Sequence, residues 1–176
     1  MMEELGVVFD ISHLGVAGVD HVLELATRPL LATHSGCLGM VDVHRNLGDE
    51  QITQIARLGG VVSVAAAIPG LIDPLRPTAG RAVDHIEYLV DLVGIDHVGI
   101  GPDFIEDYFQ QVFGGWPVLA GLDPPTVDAE IARPSDLPKL TSEMLRRGFG
   151  EPEIGKVLGA NVLRVFRQVM GVPRLS

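Results

Sequence analysis

A single cysteine, Cys37, excludes an internal disulfide, so the fold forms without covalent cross-links and is compatible with a reducing compartment. Basic residues are scarce. Thirteen Lys+Arg stand against 23 Asp+Glu, giving a formal net charge of -10 and a pI near 4.9. That balance argues against a phosphate-backbone binder, and no nucleic-acid partner is expected. Long apolar runs are missing as well: the longest mostly apolar stretch, Val61 to Ile68, falls far short of the ~20 residues that cross a bilayer. The opening Met1-Met2-Glu3-Glu4 lacks a positive region followed by an apolar one, so neither signal peptide nor membrane anchor is expected, and the default location is cytoplasmic. No internal repeat or low-complexity tract occurs. What is present is 176 residues with 47% hydrophobic side chains and a mean hydropathy of +0.30. That describes a single domain, 1–176, with enough apolar surface for a core.

Short β-branched runs alternate with longer amphipathic ones, the pattern of repeated strand–helix units and a parallel sheet. Gly6 to Ser12 reads as a first strand ending in His13, with a helix over Val19 to Thr27. Pro29 to Thr33 reads as a second strand running into His34, followed by a helix from Glu50 to Leu58 capped by Asp49. Val61 to Ala65 is the third strand, followed by a helix over Ala82 to Val93 that Gly94 ends. His97 to Gly101 is the fourth strand. Between Pro102 and Pro138 lies half of the chain's 12 prolines together with most of its aromatics. This long segment reads either as an ordered lid or substrate wall, or as a surface insertion. Helices over Ser135 to Arg147 and Glu151 to Met170 complete the chain.

In parallel α/β folds, function collects at the carboxyl ends of strands. His13 ends the first strand here, His34 the second, and Asp103 follows the fourth. Two imidazoles converging from adjacent strands can hold zinc, with a carboxylate completing the set. The bland reading of each is a hydrogen-bonded structural group. His21 and His85 fall on helices and read as solvated or packing residues, and His97 stands at the opposite end of its strand. His44 either reaches the site or is a solvated loop residue. Its neighbour Arg45 is suited to a bidentate grip on a substrate carboxylate; its alternative is a weak surface ion pair.

The ordered blocks Asp10-Ile11-Ser12-His13, Thr33-His34-Ser35, His44-Arg45-Asn46-Leu47, Val83-Asp84-His85-Ile86, Val93 to Gly101 and Gly159 to Phe166 resemble the C-terminal half of the membrane dipeptidases, zinc peptidases with a (β/α)8 barrel. The resemblance implies hydrolysis of dipeptides at a two-zinc centre. It assigns His13 and His34 to one zinc, Arg45 to the substrate's terminal carboxylate, and Asp103 to the catalytic position near the substrate amine and the attacked carbon. Two departures stand out. Asp103-Phe104-Ile105-Glu106 replaces the family's Phe-Asp-Gly after its aspartate, and no His-x-Asp pair occurs anywhere in the chain.

The resemblance therefore implies half of a TIM barrel, about four parallel strands with flanking helices, starting in mid-barrel. A half-barrel leaves open sheet edges, which invites a homo-oligomer or a complementary half-barrel chain. The expected function is zinc-dependent dipeptide hydrolysis, impaired or absent in the isolated chain. The alternative is a non-catalytic remnant or binding module that needs a partner half.

Overall fold

Residues 2–104 and 128–171 are described by the structure, a computed structural model of the chain. Three strands form a parallel sheet in the order β1-β2-β3: β1 (Leu31–Ser35), β2 (Val61–Val64) and β3 (Val98–Ile100). Leu31 and Ala32 pair with Val61 and Val62, while Val62, Ser63 and Val64 pair with Val98, Gly99 and Ile100. The central strand β2 is buried at every position, Ser63 included, so it shows no alternation of buried and exposed residues.

Helix α1 (Val16–Leu25) precedes β1, α2 (Asp49–Arg57) joins β1 to β2, and α3 (Pro69–Ile72) and α4 (Ala79–Val93) join β2 to β3. Beyond residue 127 follow α5 (Leu137–Arg146), α6 (Glu151–Gly155) and α7 (Asn161–Met170). The Thr78 side chain accepts the Arg81 N–H to cap α4, and Gly94 ends it at φ +85°, a conformation that costs glycine little. Val83, Ile86 and Leu89 of α4 are fully buried with Ile52 and Ile55 of α2 and Val62 and Val64 of β2 in the main core. Leu31 and Val61 point to the opposite face, where they pack with Val165 and Val169 of α7. Among the described residues, no helix is long and apolar enough to cross a membrane.

Three of the four expected strands form, each within a few residues of its expected span. The expected strand over Gly6 to Ser12 does not develop: Asp10 makes a single parallel bridge to Leu31, and Ile11 N–H donates to Leu31 O at 2.9 Å. Side chains interrupt the ladder, because the Thr33 N–H donates to Asp10 Oδ1 and the His34 N–H to Ser12 Oγ instead of to backbone carbonyls. Helix starts and stops also move. Gly48 rather than Asp49 takes the cap of α2, Ser135 lies in a short 3-10 turn before α5, and the single helix expected over Glu151 to Met170 is broken at Gly159. Of the 102–138 segment, residues 105–127 lie outside the described residues.

Candidate functional site

The carboxyl ends of the strands converge on one cluster. His34 is the fourth residue of β1, His13 follows the Asp10 bridge, and Asp103 follows β3 through Gly101-Pro102. One ligand atom from each of His13, His34 and Asp103 lies within 4.8 Å of the other two. The two imidazole rings stand 4.8 Å apart between centroids, tilted by 58°. His13 and Asp103 both adopt left-handed backbone, at φ +71° and +60°, and they are the only non-glycine residues to do so among those described. Such conformations cost free energy and collect at functional sites.

Arg45 reaches the cluster from the loop between β1 and α2. Its Nη1 donates to His13 Nδ1 at 2.7 Å. Ser35 Oγ donates to Arg45 O at 3.0 Å, and Asn46 Nδ2 donates to Val41 O and Leu71 O, both at 2.9 Å, so both flanks of the arginine are held. Burial, then the charges of Arg45 and His34, lower the His13 pKa, with Asp103 and Asp10 opposing. His13 is therefore biased towards the neutral form, the form that ligates metals. His44 is exposed and lines a narrow cleft with Ser12, His13 and Arg45, but it is not a member of the cluster.

The donor set fits a metal ion. His34 Nε2 is buried and has no hydrogen-bond partner, an arrangement that costs free energy unless a ligand takes the lone pair. His34 Nδ1 is already engaged, 2.8 Å from Thr33 Oγ1. Two imidazoles and a carboxylate are a zinc-type set. Arg45 Nη1 donates to the His13 Nδ1 lone pair, so a metal held at that atom would compete with this guanidinium.

Three further histidines have partners away from the cluster. His85 is 0% exposed, not solvated: Nδ1 accepts the Cys37 N–H at 3.1 Å, and Nε2 donates to Ile72 O at 3.0 Å. His97 Nδ1 donates to Gly60 O, and His21 makes an exposed pair with Glu24. Asp10, Ser12 and Thr33 also stand at the cluster, within the blocks around His13 and His34. Their polar side chains at a strand terminus were the available signal.

Fold and site together define an α/β protein with a histidine–histidine–carboxylate cluster at the carboxyl ends of parallel strands. The family profile described as membrane dipeptidase (peptidase family M19) matches residues 1–175, and the chain belongs to that family. Dipeptidase verJ of Clonostachys rogersoniana is 33% identical over 168 residues, which cover 96% of this chain and 39% of its own length. Dipeptidase 3 of Rattus norvegicus is 31% identical over 175 residues, 99% of this chain and 32% of its own. The chain thus spans less than half the length of these curated relatives. A crystal structure of dipeptidase AC, a metallo peptidase, superposes with a TM-score of 0.77 at 30% identity, over 97% of this chain and 45% of that one. A metallo peptidase from Rhodobacter sphaeroides, liganded with a phosphinate mimic of the dipeptide L-Ala-D-Ala, gives 0.76 at 29% identity over 96% and 44%.

Proposed function

We propose that this chain supplies one side of a zinc-dependent dipeptidase centre, with His13 and His34 as metal ligands, Asp103 as the catalytic and amine-binding carboxylate, and Arg45 as the carboxylate anchor. The observation that carries the reading is the convergence of His13, His34 and Asp103 around the unpartnered Nε2 of His34. When bound, zinc supplies Lewis-acid polarisation of a peptide carbonyl and lowers the pKa of water. The chain's own residues hold the substrate. Arg45 keeps N–H donors beyond the Nη1 contact to His13 and is suited to the terminal carboxylate, while Asp103 attracts the ammonium at the other end of the dipeptide. Gripping both charged ends sets the peptide bond in register, which favours short substrates over long ones.

The parallel sheet with helices packed on it is consistent with the C-terminal half of a (β/α)8 barrel. In that reading the isolated chain is impaired, because catalytic zinc sites usually keep three protein ligands, and Asp103 serves the substrate here. Exposed Leu163, Phe166 and Met170 on α7 favour association, either as a homo-oligomer or with a complementary half-barrel chain. Hydrolysis of a dipeptide panel with and without zinc, alongside metal analysis, tests the reading. Zinc should bind to the wild type and be lost in His34→Ala, while turnover by the lone chain stays low. Unchanged zinc stoichiometry in His34→Ala removes the ligand assignment, and robust zinc-dependent turnover overturns the impairment.

A further inference from the structure

Between Asp10 and His34 runs a short chain of hydrogen bonds whose direction is determined by donor count. Asp10 Oδ1 accepts the N–H groups of Ser12 and Thr33 at 3.0 and 3.1 Å, and Oδ2 accepts the Thr33 hydroxyl at 2.6 Å. An ionised carboxylate only accepts, and a threonine hydroxyl has a single proton. With that proton on the Asp10 bond, Thr33 Oγ1 can only accept from His34 Nδ1, 2.8 Å away. Ser12 Oγ accepts the His34 N–H at 3.1 Å and stands 3.4 Å from Thr33 Oγ1, facing its second lone pair. Every polar group in the relay is accounted for, and the proton of a neutral His34 belongs on Nδ1.

We propose that Asp10, acting through Thr33, is a positioning residue that holds His34 in the Nδ1–H tautomer and so presents the Nε2 lone pair to the metal. The metal half of this inference rests on the reading of His34 as a ligand; the tautomer half does not. A free neutral imidazole favours the Nε2–H form, in which the lone pair is on the wrong atom, so the relay works against the intrinsic preference of the ring. Two contacts hold the residue, since the backbone N–H is tied to Ser12 and the ring Nδ1 to Thr33. A purely architectural role for Asp10 is met by Oδ1 alone, through its two backbone N–H bonds. Its second oxygen is the part directed at the histidine.

Replacement of Asp10 by asparagine reverses the relay without removing it. The amide oxygen takes the two backbone N–H groups, the amide N–H donates to Thr33 Oγ1, and the hydroxyl proton turns to His34 Nδ1. That forces the ring proton onto Nε2. Long-range 1H–15N correlation of the histidine rings in the metal-free 176-residue chain, at about pH 8 and so above the ordinary imidazole pKa of ~6.5, reads this directly. Wild type should show His34 as Nδ1–H, and Asp10→Asn should switch it to Nε2–H. Zinc affinity, measured by competition with a chromophoric chelator, should fall by about 10- to 100-fold in Asp10→Asn and Thr33→Val and be restored in Thr33→Ser. Observing Nε2–H in the wild type, or an unchanged tautomer in Asp10→Asn with a native circular dichroism spectrum, overturns the proposal. If His34→Ala binds zinc like the wild type, the metal half falls, whereas the wild-type tautomer still decides whether Asp10 sets the ring.

Discussion

At the scale of single residues, His34 and His85 show how a structural histidine and a candidate ligand differ. Both ring nitrogens of His85 are satisfied inside the core, by Cys37 N–H and Ile72 O, whereas His34 leaves Nε2 open. His85→Ala therefore strands a buried donor and a buried acceptor and leaves a cavity. The expected cost is about 3 kcal/mol, read from urea denaturation at neutral pH. Burial also lowers the His85 pKa, so the native protein resists taking a proton there while the unfolded chain accepts one below its ordinary value of 6.5. Stability should be fully present above that value and decline as the pH falls below it, and His85→Ala should flatten this decline. His13, lowered in the same direction, leaves a residual slope. Equal slopes for the two proteins would exclude His85 as a source of the pH dependence.

At the scale of elements, the end of β3 is held close to β1. A Cβ on Gly101 would collide with the Thr33 carbonyl oxygen and meet Ser63 Cβ at 3.5 Å. Gly101→Ala should push the end of β3 outward, at a cost of about 1–3 kcal/mol, and carry Asp103 away from the two histidines. The expected readout is weaker binding of a dipeptide with zinc binding at His13 and His34 retained; unchanged dipeptide binding would show that Asp103 does not hold the substrate amine. The element level also shows the limit of pattern reading. Periodicity identifies β1, β2, β3, α2 and α4, because the apolar residues that pack these elements are also their spacing signal. It misjudges Gly6 to Ser12, where Asp10 and Ser12 divert the N–H groups of Thr33 and His34 from a backbone ladder. It also treats Asn161 as one letter of a family block. In the fold, its buried side chain donates to Ile95 O and Val98 O at 2.7 and 2.8 Å and ties α7 to the start of β3.

For the molecule as a whole, an excess of acid is balanced locally where helices meet. Arg147 at the end of α5 reaches Asp84 and Glu87 of α4, each at 2.6 Å, and Glu143 at 2.9 Å, and it donates to Gly80 O. Arg81 completes the network through Asp73 and Asp84. Arg147→Met should loosen α5 from α4 at a cost of about 2 kcal/mol, seen as faster amide exchange in both helices with β2 unaffected. Hydrogen bonds from Arg146, then Arg147, hold Glu143 at about 2, below its ordinary 4.5. Its contribution is present above the ordinary value and lost as the pH falls towards about 2, so acid unfolding should show a second loss below the histidine one. Arg147→Met should diminish that second step; a step of wild-type size would place its origin elsewhere.

The sequence by itself determined the family, the parallel α/β class, and which histidines and carboxylate to watch, because these depend on residue type, order and period, all of which are local. Only the tertiary structure decided that His13, His34 and Asp103 meet, that Arg45 contacts His13, that His85 belongs to the core, and that Thr33 links Asp10 to His34. Those facts depend on hydrogen bonds between residues more than 20 positions apart and on left-handed turns at His13 and Asp103. Neither leaves a periodic trace in the chain, since a side chain's partner is chosen by packing in three dimensions and not by its neighbours in sequence.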